Sequence, residues 1–307
     1  MPCLSLIKHS YKMKYRLAFI ALFISVTANT QTEAWWRNLV KWDGTTHWSK
    51  YITFSPGFMG VNALPIPAIG NGSIDSVTSL AVTGNFHFSK GDNSQNPALF
   101  GNICIVKNKV SLDATLIPVE WFKMSHAIKE KRKVYWEDYY LKKAGGDLSV
   151  NVVIQMFNHW RKNIDLAFRL GYRYATSGGV GAARMTNTPG YWFDISAGRK
   201  FSSSSNWKWN AMMGFYVWET NNDRPRLYQD DAYLTGLGVE FNKNKFRLQT
   251  SFAAYFGYFE GYDDDPVVYR LNLEKKFKNK SLLLRFQQGL NDVHYSSFET
   301  GIKFNFK

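Results

Sequence analysis

The chain has only two cysteines in 307 residues, Cys3 and Cys104. Cys3 lies in a segment read below as a leader, so the mature chain keeps one thiol. That excludes an intramolecular disulfide and a cysteine-built zinc cluster, and leaves Cys104 to pack as a small apolar residue. Long apolar runs are scarce as well. Only Leu17 to Val26 is strongly apolar, well short of the roughly 20 residues a membrane-spanning helix needs, which argues against a helical inner-membrane bundle. Acidic residues are few, 24 against 38 basic. The basic excess is scattered along the chain and not gathered on one face, so no nucleic-acid partner is expected. No motif for a cofactor is found, and none is expected.

The beginning of the chain reads as a secretory signal. Lys14 and Arg16 head the apolar run, and Val26 and Ala28 satisfy the small-residue cleavage rule. Translation is expected to start at Met13 and cleavage to follow Ala28, making residues 1–28 the leader. Removing Lys8, Lys12, Lys14 and Arg16 lowers the formal charge from +14 to about +10. Cys3 precedes the apolar core, the wrong order for a lipoprotein anchor.

Aromatic residues are abundant, at 17% of the chain, and they sit in a two-residue rhythm. From Asn163 to Tyr174, Ile164, Leu166, Phe168, Leu170, Tyr172 and Tyr174 fall on one side of a strand, with Asp165, Arg169 and Arg173 on the other. The pattern returns in Leu80–Phe88, near Leu99 to Lys107, and in Val110–Leu116, Leu148–Met156, Tyr191–Ala197, Trp207–Val217, Tyr233–Phe241, Phe246–Tyr258, Tyr269–Leu273, Leu282–Phe286 and Phe298–Phe306. That makes twelve strands, many of ten residues or more, each with one face for lipid and one for water.

The connections alternate in length. Lys107–Lys109, His159–Lys162, Ser202–Ser205, Asn242–Lys245 and Asn279–Lys280 are tight; Ser89–Pro97, Trp121–Gly146, Thr176–Gly190, Glu219–Asp230 and Glu260–Pro266 are longer. Tight periplasmic turns and longer outer loops make this alternation, and an even strand number puts both barrel ends in the periplasm. Phe201, Trp207, Phe241, Phe246, Phe277, Phe304 and Phe306 mark an inner aromatic edge, and Tyr174, Tyr191, Tyr258 and Tyr269 an outer one. Arg199 breaks the lipid-facing phase, but beside a periplasmic turn it can snorkel to water.

From Ser76 to Lys307 the chain resembles, as a class, the outer-membrane β-barrel proteins of Gram-negative bacteria. The ending Phe304-Asn305-Phe306 is similar to the terminal signal those proteins present to the barrel-assembly machinery, except that Lys307 follows the last aromatic. The resemblance implies an all-β transmembrane antiparallel barrel in the outer membrane, in contact with outer-membrane lipids and lipopolysaccharide.

Residues 29–75 do not fit the strand count. Trp35, Trp36, Trp42 and Trp48 open the segment, and Pro56-Gly57 and the run from Asn62 to Gly72 punctuate it, which excludes regular helix or central strand there. Three placements are open: a plug folded up into the lumen from a periplasmic start, a periplasmic strap across the mouth, or a strand over Tyr51–Gly60 that enlarges the barrel to fourteen.

Inward phases carry Asp113, Asp165, Arg169, Arg173, Asp194, Lys200, Lys208, Glu240, Arg247, Arg270, Glu274, Arg285, Glu299 and Lys303. A charge in a lumen is hydrated or paired, so Glu240 with Arg247 and Glu274 with Arg285 are expected as cross-strand pairs. Arg169, Arg173, Arg247, Arg270 and Arg285 are the candidate lining for a small, anionic solute. Asp263, Asp264 and Asp265 in one loop, with Asp230 and Asp231 near another, are hard oxygen donors and the candidate metal ligands, set against the plainer reading of a solvated loop. Tyr135, Trp136, Tyr139 and Tyr140 follow Lys129–Lys133 in the longest loop, a mixture suited to sugars or headgroups.

Two His-x-Ser triplets put an imidazole and a hydroxyl on the same side of a strand. They are His87-Phe88-Ser89, facing inward, and His294-Tyr295-Ser296, facing outward at the outer rim with Glu299 nearby. Each resembles the His-x-Ser of lipid A deacylase and of outer-membrane phospholipase A. The Asn-Gly that follows in the phospholipase is Lys90-Gly91 here, and the deacylase's downstream Glu is not matched in spacing. The main expectation is a channel or porin-like passage. The alternatives are a lipid hydrolase using His294 and Ser296, and a structural or adhesive barrel.

Overall fold

The computed structural model of the chain describes residues 33–159, 164–224 and 227–306; the expected leader lies outside them. Fourteen strands form one antiparallel sheet. Twelve of them close into a barrel: β1 (Ser79–Ser89), β2 (Asp92–Val106), β3 (Val110–Leu116), β6 (Leu148–His159), β7 (Ile164–Tyr174), β8 (Gly190–Lys200), β9 (Trp207–Glu219), β10 (Gln229–Lys243), β11 (Phe246–Phe256), β12 (Val267–Lys276), β13 (Lys280–Asn291) and β14 (Ser296–Asn305). Closure is made by β1, which pairs with β2 on one side and with β14 on the other, Ser79 opposite Asn305. No barrel edge is left unpaired.

Alternation sorts the side chains as hydrocarbon outside and polar groups inside require. On β1, Leu80, Val82, Phe86 and Phe88 are exposed, while Ala81, Thr83, Asn85 and His87 are buried inward. Ile105, Met213 and Leu237 are 58%, 57% and 66% exposed. A girdle of large apolar groups left this bare is an interface for lipid.

The wall continues above that girdle at the long-loop end. There β4 (Glu120–Met124) pairs with the upper half of β2, and the two-residue β5 (Lys143–Ala144) pairs with β4. The expected loop over Ser89–Pro97 is therefore corrected. β1 and β2 run on to a tight turn at Lys90-Gly91, where Gly91 has φ +84°, a left-handed conformation that a Cβ disfavours.

Residues 33–40 form a helix, α1, docked at the long-loop end. The Trp36 indole donates to the Lys133 carbonyl at 3.1 Å, and the Trp48 ring stacks on Tyr135 at 4.5 Å. Thr53 donates to Asp223, Gly57 N–H to the Asp263 carbonyl and Gly60 N–H to the Ala183 carbonyl. The chain then descends inside the barrel. Tyr255 donates to the Leu64 carbonyl at 3.0 Å, Gln155 to the Gly72 carbonyl at 2.7 Å, and Asn102 to the Val77 carbonyl at 2.6 Å. β1 begins at the short-turn end.

The segment thus threads the lumen from the long-loop end downward. Its described part begins at the long-loop end, which differs from a plug folded up from the short-turn end, and neither a strap across the short-turn mouth nor a strand over Tyr51–Gly60 is formed: residues 48–51 are a single 3-10 turn. Pro56, Pro65 and Pro67 withhold the N–H groups a strand would need. The segment is held by apolar packing. Ile52, Phe54, Met59, Leu64, Ile66 and Ile69 meet Trp192, Met212, Tyr216, Trp218, Leu234, Tyr255 and Val268 of the wall, each buried side chain worth roughly 1.5–3 kcal/mol.

Candidate functional site

The threaded segment packs on the wall from β8 to β12 and does not fill the lumen. A cavity of about 620 Å³ lies between residues 61–68 and the wall, lined among others by Asn85, Asn102, Asn151, Gln249 and Asn272. That size suits a small organic molecule. All five arginines proposed from sequence line it.

Four of the five are neutralised. Arg169 pairs with Asp194 at 2.7 Å, Arg173 with Asp147 at 2.5 Å, Arg247 with Glu240 at 2.5 Å, and Arg285 with Glu299 at 2.8 Å. The expected Glu240–Arg247 pair forms. The expected Glu274–Arg285 pair does not, because Arg285 sits directly opposite Glu299 on β14 and pairs with it; Glu274 pairs with Lys303 at 2.8 Å instead. Arg270 alone of the five has no carboxylate among the described residues. Its guanidinium donates to the Gln287 amide oxygen at 2.7 Å and to the carbonyls of Ile66 and Pro67 at 2.7 and 3.1 Å.

Above the cavity a buried ion network closes the mouth. Arg184 pairs with Asp92 at 2.6 Å and with Glu120, Arg132 pairs with Asp92 at 2.6 Å, and Tyr295 bonds both Asp92 and Arg132. Asn62 of the threaded segment donates to Glu120 at 2.9 Å. The Phe122 ring lies 4.7 Å from the Arg184 guanidinium, and Phe122, Ala144 and Ala182 form a small apolar core around it. Burial alone would raise the Asp92 carboxyl, but Arg184 and Arg132 hold it below its ordinary value. Sequence reasoning missed these four charges, which lie in separate loops and strand ends. The one local sign is the lone Arg184 after Gly178-Gly179-Val180-Gly181-Ala182-Ala183, a run of small residues that lets backbone pack closely.

The histidine candidates separate from their serines. His294 is exposed in a loop, and Ser296 donates to the Gln288 amide oxygen at 2.6 Å; no hydrogen bond joins the two among the described residues. His87 is buried and bonds Ser297 at 2.8 Å and Asn96 at 3.0 Å, not Ser89.

The three loop aspartates point apart and do not form a metal site. Asp263 faces Lys131 at 3.5 Å, Asp265 accepts from Gly257 N–H at 3.1 Å, and Asp264 turns inward. Among the described residues no group of three or more metal-ligating side chains is gathered.

Asp264 instead faces Asp230, whose two carboxylate oxygens are fully buried without a donor. This pair lies above the lipid-facing girdle. Burial, with the Asp264 carboxylate beside it, raises the Asp230 pKa to about 8, so at neutral pH a proton supplies the missing hydrogen bond. The folded protein therefore holds a proton that the unfolded chain gives up near pH 4. Stability of this corner falls as pH rises through that window and is flat above about 8. Because Tyr262 and Asp263 bind Ser55 and Gly57, proteolytic nicking of loop 257–266 should accelerate between pH 6 and about 8.5. Asp230→Asn should flatten that dependence; an unchanged pH profile would reject the shared proton.

No family model and no curated protein matches the chain. Among solved structures it is similar to an outer-membrane channel from Pseudomonas putida F1, with 10% identity, a TM-score of 0.56, and 78% of this chain and 100% of that one covered. It is also similar to the NanC porin, with 8% identity, a TM-score of 0.50, and 74% and 100% covered. At such identities the likeness carries the fold: a closed twelve-strand barrel of the outer membrane.

Proposed function

We propose that the protein is a plugged outer-membrane channel that passes a small organic anion when the threaded segment shifts. The observation that carries this reading is the cavity beside the segment, ringed by amides and guanidinium groups. A purely structural barrel gains nothing from a chamber lined with so many hydrogen-bonding groups. The P. putida channel and the NanC porin, similar in fold, support passage as the general activity.

With four arginines paired, Arg270 is the one lining guanidinium without a carboxylate among the described residues, and it supplies a local site for an anion in a chamber that Asp75 and Asp113 also line. The test is planar-bilayer conductance of the full chain against a variant lacking residues 33–75, with circular dichroism and heat-shifted gel mobility reporting that the barrel has formed. The full chain should be nearly silent, and the variant should conduct with a reversal potential displaced toward anions. A folded variant that stays silent would overturn the proposal.

A further inference from the structure

Arg270 does two things at once. It lines the cavity, and it holds the backbone of the threaded segment at Ile66 and Pro67. Along Leu64-Pro65-Ile66-Pro67 the two prolines remove N–H donors, and among the described residues the wall holds these carbonyls through three bonds: Tyr255 to Leu64, and Arg270 to Ile66 and Pro67. Two of the three come from one guanidinium. All its hydrogen-bond partners are uncharged, whereas Arg285 and Arg169 across the chamber each hold a carboxylate of their own. A cation bound only by neutral acceptors, beside an open chamber, is the place where an anion gains most. A carboxylate or phosphate accepts two parallel guanidinium bonds, each roughly twice as strong as a bond to a carbonyl.

From this we infer that an organic or phosphate anion entering the cavity binds Arg270, draws the guanidinium off the Ile66 and Pro67 carbonyls, and so loosens the segment that blocks its own path. The inference rests on the channel reading and makes the passing solute the trigger. Ile66 and Pro67 keep their apolar contacts but lose their polar anchor. Pro65 and Ala68, which face the cavity, are then free to follow.

The test uses the full chain in bilayers with Cys104→Ser and Ala68→Cys carrying a nitroxide spin label. Gluconate and inorganic phosphate are the anionic probes, and sorbitol is the neutral control. Either anion should raise label mobility and channel opening; which acts at lower concentration separates carboxylate from phosphate recognition. Sorbitol should do neither. Arg270→Gln should give a mobile label without any anion and no further rise when anion is added, whereas Arg270→Lys, which keeps the charge but not the fork, should retain part of the response. An immobile label in the presence of both anions overturns the inference, as does an Arg270→Gln variant that responds like wild type. If the variant lacking residues 33–75 conducts while the label ignores anions, the trigger fails and the channel stands. If the label responds but that variant is silent, the channel reading fails and the anion site stands.

Discussion

Arg184→Ala is expected to unfasten the outer mouth of the barrel and to make the loop over residues 125–142 an efficient trypsin substrate. The effect is large because the substitution removes two ion pairs at once and leaves their acids dry. Asp92 keeps Arg132 and Tyr295, but among the described residues Glu120 is left with only the Asn62 amide. Breaking a buried pair by deleting one partner costs about 3–5 kcal/mol, which multiplies the open population of the cap by between about a hundredfold and a few thousandfold. Nicking at the exposed Lys131 and Lys133 should accelerate accordingly when cleavage samples that population. Adding Glu120→Gln should recover much of the loss, since an unpaired amide is far cheaper to bury than an unpaired carboxylate. If the single variant is nicked at the wild-type rate, the network does not fasten the mouth.

The barrel was legible because hydrocarbon enforces a strict code. Wherever a strand crosses lipid, every second residue must be apolar, and β6 to β14 appear in the structure close to where Leu148, Ile164, Tyr191 and the later sets place them. The code lapses above the lipid. Asp92-Asn93-Ser94-Gln95-Asn96 is polar on both faces because one face meets water and the other meets the threaded segment, so it reads as a loop although it forms the top of β2. Inward charges were legible as a set but not as pairs. Whether Arg285 meets Glu274 or Glu299 depends on register, and Lys303, two strands away from Glu274, claims that carboxylate. The mouth was illegible for a different reason: Asp92, Glu120, Arg132 and Arg184 meet only because three loops fold over one another, and no local spacing encodes that. The direction of threading was hidden likewise, since composition alone places an apolar, proline-broken segment near the lumen without saying which end enters.

That direction predicts an all-or-none labelling result. Thr45 is exposed in the aromatic cap outside the barrel, whereas Val77 is exposed at the short-turn end just before β1. In a Cys104→Ser background, Thr45→Cys should react with a membrane-impermeant maleimide on intact cells, and Val77→Cys should react only after the outer membrane is opened. The connection between them is long enough, because a chain extended at about 3.5 Å per residue crosses the ~25 Å apolar girdle well within the stretch from Gly60 to Thr78. The close fit at the lower end fixes the path. Gly72 has φ +76°, and a Cβ there would lie 2.3 Å from the Asp165 carbonyl oxygen and 2.6 Å from Gly198 N, so backbone rests directly on wall. Apolar packing would also secure a plug inserted from below, but the aromatic contacts of Trp36 and Trp48 with the loop carrying Lys133 and Tyr135 would then be out of reach. Labelling of position 45 that requires a breached membrane would therefore reverse the orientation of the segment, and with it the side from which the channel is stoppered.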